Sequence, residues 1–153
     1  MKKPFKYMIV ALLLILLVLV RAFEDVLFYD PFINFFKGEY TKIEKPLFNG
    51  FILFANHFLR YLINTVISMA IIYIFFKDMS VIKVVTILYA LFFVLLILAY
   101  FYFINYKLED YYLITFYTRR FLIQPLFLFI FIPAFYYQKR LQQAVNESLN
   151  KIK

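Results

Sequence analysis

Most ionisable residues of this chain sit at the ends of apolar runs, but several do not, and those are the residues whose types could do chemistry. Asn56, His57, Arg60, Asn64 and Ser68 recur at three- and four-residue steps. On a helix they fall within roughly a third of the circumference, which makes a polar stripe that lipid would penalise. Arg120 and Gln124 share a helical face by the same i, i+4 spacing, with Arg119 one step round. Arg21 precedes Glu24 and Asp25 at the end of the first apolar run. Charged groups inside membrane spans are costly, so each marks a functional hypothesis or a structural ion pair. A base such as His57 beside arginines suits general-base catalysis with an anion clamp of Arg60 and Arg120. It equally suits a hydrogen-bonded contact between helices.

Composition narrows the setting. Of 153 residues, 65% are apolar and 24% aromatic, only 17% are charged, and the mean hydropathy is +0.80. That leaves too few polar groups to cover a water-facing surface, so the chain belongs in a bilayer, with membrane lipids as its first partners. With no cysteine, the thiolate nucleophile and the Cys-based metal site are excluded. A single histidine argues against any metal centre, and two glycines argue against a phosphate-cradling loop, so no cofactor is expected. The net charge of +8 has a simpler source than nucleic acid, because the positive residues flank apolar runs.

Four such runs stand out: Tyr7–Val20, Tyr61–Phe76, Val84–Tyr106 and Phe121–Gln138. A span needs about 20 residues, which predicts helices over 5–28, 51–76, 81–105 and 111–138. Strands are excluded because stretches such as Leu12–Leu17 do not alternate. The expected fold is an all-α four-helix transmembrane bundle occupying 1–140, with a polar tail over 141–153 that continues as a short amphipathic helix. The long connection over 29–50 carries prolines, mixed charge and aromatic clusters, and is expected to lie in the headgroup zone. Pro125 and Pro133 are expected to kink the fourth helix.

Lysine and arginine concentrate before the first helix, between the second and third, and after the fourth, which predicts cytoplasmic termini. Lys2-Lys3 before an apolar run resembles a signal peptide, but Arg21 and Phe23 make Val20-Arg21-Ala22 a poor cleavage site. With that orientation Arg21, Glu24, His57, Arg60, Arg119 and Arg120 all fall in the outer half of the bilayer. Arg60-Tyr-Leu-Ile-Asn64 matches Arg120-Phe-Leu-Ile-Gln124 class for class, so a two-hairpin pseudo-repeat would set Arg60 and Arg120 at equivalent depth. In the blander reading, Arg21 pairs with Glu24 or Asp25, Arg119 snorkels to the surface, and Arg60 meets Glu24, Asp25 or an acid of the third connection.

Several blocks resemble a known family. Arg21-Ala-Phe-Glu24, Leu27-Phe-Tyr-Asp-Pro-Phe32, Arg60-Tyr-Leu-Ile-Asn-Thr65, Arg119-Arg-Phe-Leu-Ile-Gln-Pro-Leu126 and Ile132-Pro-Ala-Phe-Tyr-Tyr-Gln-Lys139 are similar to the small membrane proteins of the exosortase F system of bacteria. The likeness covers about residues 20 to 140. It implies a place in the inner membrane beside an exosortase, an enzyme that processes carboxy-terminal sorting signals at the outer side. No catalytic residue carries over with it, and a chain without cysteine is not the sorting enzyme itself. Three readings follow. In the first, the chain is an accessory protein that meets the exosortase or its substrate through the polar residues Arg21, Glu24, Asn56, His57, Arg60, Asn64, Arg119, Arg120 and Gln124. The second is a membrane enzyme acting on a lipid-linked or peptide carboxylate, weakened because Ser68 lies about three turns past His57. The third is a small transporter or lipid-binding module, weakened by scarce glycine and a featureless inner half.

Overall fold

The computed structural model describes residues 3–38, 44–124 and 126–152, and all its regular structure is helical. Helix α1 spans Lys3–Ala22, and after a break at Phe23 the four-residue α2 spans Glu24–Leu27. A short α3 (Phe32–Lys37) precedes the long α4 (Gly50–Phe76) and α5 (Met79–Tyr102), which runs on through a π-helical turn, Phe103–Lys107. Then come α6 (Tyr112–Ile123) and α7 (Leu126–Ile152). Three stretches are long and apolar enough to cross a membrane: Pro4–Ala22, Gly50–Phe76 and Met79–Lys107. A fourth is reached if α6 and α7, bent by 67° to one another, count as one broken span.

The helix ends follow local chemistry. Asn49 caps α4, its Oδ1 accepting from the backbone N–H of Phe51 (3.1 Å) and Ile52 (3.2 Å). Asp78 caps α5 through Ser80 N–H at 2.8 Å. Two breaks depart from the continuous helices expected over 5–28 and 111–138. Phe28 is extended (φ −132°, ψ 139°), which turns the chain toward Asp30-Pro31. Gln124 is extended too (φ −112°, ψ 144°), the conformation favoured before a proline, so a break replaces the kink expected there. Pro125 itself lies outside the described residues. Pro133 sits inside α7, and the helix continues through it and on into the tail, which is exposed over 141–151.

Helix α4 is the mast of the bundle, touching α1, α5, α6 and α7. Its buried residues Leu53, His57, Arg60, Asn64, Ile67 and Ile71 step by three and four along one face. Aromatic packing joins α5 to α7, where Phe92 and Phe127 stack at 4.5 Å and Tyr89 meets Phe131 edge-on at 5.4 Å. Tyr61 Oη donates to the Tyr89 carbonyl at 2.8 Å, tying α4 to α5. At one end, the Lys6 and Lys139 ammonium groups donate to the last α4 carbonyls, Phe75 at 3.5 Å and Phe76 at 3.4 Å. Cations belong there, at the negative end of the helix dipole.

The connection after α2 is packed against the bundle: α3 has Phe32, Ile33, Phe35 and Phe36 buried. Phe32 meets Tyr100 of α5 at 6.2 Å, and Phe36 meets Tyr112 and Phe116 of α6 at 5.2 and 5.7 Å. Enclosing each such side chain is worth about 1.5–3 kcal/mol, which holds the segment against the helices. The segment works as a strap seated across α4, α5 and α6.

Lys77, which ends α4, holds a left-handed conformation at φ 50° and ψ 35°. A β-carbon there costs about 1–2 kcal/mol. Lys77→Gly is therefore expected to raise stability by about 1 kcal/mol, read as a higher midpoint of thermal unfolding in detergent. An unchanged or lower midpoint would show that the lysine charge matters more at this end than the backbone does.

Candidate functional site

Asp30 is the centre of the polar cluster. The break before it and Pro31 after it hold its backbone off the helical path, so its short side chain reaches inward. One oxygen, Oδ1, accepts from Phe32 N–H at 3.1 Å and starts α3. The other, Oδ2, accepts from Arg119 Nη2 at 2.6 Å and Nε at 3.0 Å. Both side chains are enclosed, with Asp30 at 1% exposure and Arg119 at 8%. Short charge-assisted bonds of this kind are among the strong ones.

Two groups of α4 face the same oxygen. His57 Nε2 lies 3.8 Å and Arg60 Nη1 3.7 Å from Asp30 Oδ2. Arg60 Nη1 is also 3.7 Å from Glu24 Oε2 of α2. The guanidinium lies over the Phe28 ring, 4.7 Å from its centroid, and Arg119 lies over Phe36 at 5.7 Å. Aromatic faces attract cations, most strongly where water is excluded. His57 is held by Leu53, whose carbonyl is 2.9 Å from Nδ1. Since a carbonyl only accepts, Nδ1 carries the proton and Nε2 is the nitrogen turned to Asp30. Tyr100 stacks on the ring at 5.1 Å.

Two asparagines seat the surroundings. Asn56 Oδ1 accepts from Tyr29 N–H at 3.0 Å, pinning the chain just before Asp30 to α4. Asn64 Nδ2 donates to the Ile123 carbonyl at 2.9 Å. That carbonyl belongs to the last turn of α6, which the break leaves without a helical partner. An amide from the neighbouring helix satisfies it.

Of the residues expected to act together, Glu24, Asn56, His57, Arg60, Asn64 and Arg119 are brought to this one region. Arg21, Arg120 and Gln124 are not. Arg21 is exposed, and its expected partner Asp25 pairs instead with Lys37 at 3.4 Å. Arg120 is exposed too, its Nε donating to Gln124 Oε1 at 3.2 Å. The expected roles of the adjacent arginines are thus exchanged. Arg119 turns inward and Arg120 lies at the surface, so Arg60 and Arg120 do not face one another as the pseudo-repeat would have them. One residue turns a side chain by about 100° around a helix, and Arg119 is the arginine on the buried face that Thr115 and Leu122 also occupy.

Asp30 was not among the candidates, and the signal for it was slight. It is the lone acid in the aromatic stretch Leu27–Phe36, and it stands before a proline. Among the described residues no group of His, Cys, Asp or Glu forms a metal-ligand set.

The cluster holds two arginines against two carboxylates, so its charges balance only while every member stays. Breaking a buried pair by removing one partner typically costs about 3–5 kcal/mol. Asp30→Asn is expected to cost that much in chemical denaturation, and Arg119→Met made with it should recover part of the loss. Arg120→Ala, one residue away, should stay within about 0.5 kcal/mol of the native chain. If Arg120→Ala proves as damaging as Arg119→Ala, the assignment of the inward arginine is wrong.

Comparison of the chain with protein-family models, with curated proteins and with solved structures gives no match.

Proposed function

We propose that the protein is a non-enzymatic accessory protein of an exosortase-type sorting system, multi-pass in a bacterial inner membrane with both termini cytoplasmic. The observation that carries this reading is where the resembling blocks lie. Leu27–Phe32 supplies Phe28, Asp30 and Phe32; Arg60–Thr65 supplies Arg60 and Asn64; Arg119–Leu126 supplies Arg119 and Ile123. Segments far apart in the chain meet at one cluster, Arg119 bonding Asp30 across 89 positions. That supports a shared structural core as the source of the likeness, rather than a shared taste for Leu and Phe.

The accessory reading is favoured over the enzyme because the expected anion clamp is split and Arg119 is committed to Asp30. His57 Nε2 faces the Asp30 carboxylate at 3.8 Å without a hydrogen bond, and Arg119 is bonded to that same carboxylate. An anion clamp of Arg60 and Arg120 would need both on one side, and Arg120 lies at the surface. Orientation rests on charge: Lys6, Lys77 and Lys139 gather where α4 ends, as the cytoplasmic side favours.

Contact with the exosortase or its substrate is assigned to the polar residues outside the cluster, the exposed Arg21 and Arg120 and the half-buried Gln124. Arg120 is the anchor among them. It stands about 12 Å along α6 from Tyr112, on a surface that also bears Tyr117 and Phe121. A carboxylate on a partner helix would complete its charge at low dielectric.

Co-purification in mild detergent with the neighbouring exosortase tests the proposal. The native chain is expected to co-elute, and Arg120→Ala to lower the retained fraction at least tenfold while keeping the native unfolding midpoint. Clean separation of two folded proteins would overturn the association. Unchanged retention of Arg120→Ala would move the contact elsewhere.

A further inference from the structure

Arg60 is enclosed yet makes no hydrogen bond. Its Nε, Nη1 and Nη2 are all buried, and none donates to an acceptor of the protein. Carboxylates at 3.7 Å match its charge without supplying a directed bond. For a buried guanidinium with five donors this is an unfinished arrangement.

Its two acids are held differently. Asp30 is fixed by Arg119 and by Phe32 N–H, and its side chain is 1% exposed. Glu24 rides on the four-residue α2, between the break at Phe23 and the extended Phe28, with its side chain 19% exposed. Phe23, Val26 and Leu27 around it are exposed and apolar. Arg60 therefore has one permanent counter-charge and one loosely seated at the rim, inside an apolar fringe.

We propose that Arg60 is a receptor for the carboxylate of a single-chain amphiphile, of the fatty-acid class, arriving from the bilayer, and that Glu24 is its displaceable internal occupant. With Glu24 swung out, Arg60, Arg119 and Asp30 carry one net positive charge, and an incoming carboxylate restores neutrality. The Phe28 ring covers one face of the guanidinium, which leaves its edge for a two-pronged carboxylate contact. The apolar side chains of α2 receive the acyl chain. The proposal does not depend on the sorting association.

The full-length protein in nanodiscs of zwitterionic lipid is titrated with oleate, acetate and oleyl alcohol. Glu24→Gln is expected to bind oleate at least tenfold tighter than the native chain, about 1.4 kcal/mol, and Arg60→Lys added to it to remove the gain. In the native protein with 15N-labelled arginine, oleate should shift the Arg60 Nε–H resonance, assigned by its absence in Arg60→Lys. This second measurement stands even if Glu24→Gln fails to fold. Acetate that competes as well as oleate would overturn the amphiphile and leave a site for free carboxylates. Oleyl alcohol binding equally well, no gain from Glu24→Gln, or an unmoved Arg60 resonance would overturn the receptor altogether.

Discussion

A bundle of apolar helices that buries guanidinium groups must supply anions at the same depth, and here that requirement falls mainly on Asp30. An uncompensated charge in such surroundings costs several kcal/mol, comparable to the whole net stability of many domains. Asp30 Oδ2 is bonded to Arg119 of α6 and faces His57 and Arg60 of α4. Because Asp30 belongs to neither helix, it must be delivered by a connection. The break at Phe23, the extended Phe28 and the insertion of α3 follow from that delivery. Buried Phe32, Phe35 and Phe36 keep the connection in place, and the carboxylate makes that place electrostatically neutral.

The other polar residues of α4 then read as supports for this arrangement. Asn56 holds the backbone one residue before Asp30, and Asn64 closes the carbonyl that the end of α6 leaves open. The two ends of the bundle solve their electrostatics differently. Near Asp30, full charges are neutralised by carboxylates. Where α4 ends, Lys6 and Lys139 meet partial charges on carbonyls and keep their excess positive charge at the border of the apolar zone. Only the second solution leaves net charge, which is why the lysine-rich end carries the topological signal.

The sequence made the spans legible, because uninterrupted apolar runs admit few other readings, and α4 begins and ends within a residue of its expected bounds. The polar stripe from Asn56 to Ser68 was legible for the same reason, since helical periodicity puts it on one face. What escaped was whatever depends on a partner from elsewhere in the chain. An aromatic-rich connection with prolines and mixed charge has the composition of an interfacial segment, and nothing local tells that Phe32 and Phe36 meet Tyr100 and Tyr112 of distant helices. Arg119 and Arg120 differ by one step of a helix whose rotation is set by what it packs against, and the i, i+4 match to Gln124 pointed to the one that lies outside. Asp30 was hidden because its role exists only once α4 and α6 stand together.

That last dependence also orders the assembly. The contacts joining α1 to α4 and α4 to α5 link neighbours in the chain and need nothing from the fourth segment. Asp30 and Arg119 are separated by 89 positions, so the strongest pair of the cluster closes only after α6 is in place. Until then Asp30 has no Arg119 to bond, and the aromatic face of α3 has no Tyr112 or Phe116 to cover. Both acids precede α4 and are available to Arg60 as soon as that helix is made; what α6 adds is Arg119, which bonds Asp30 and so locks the finished bundle through that acid.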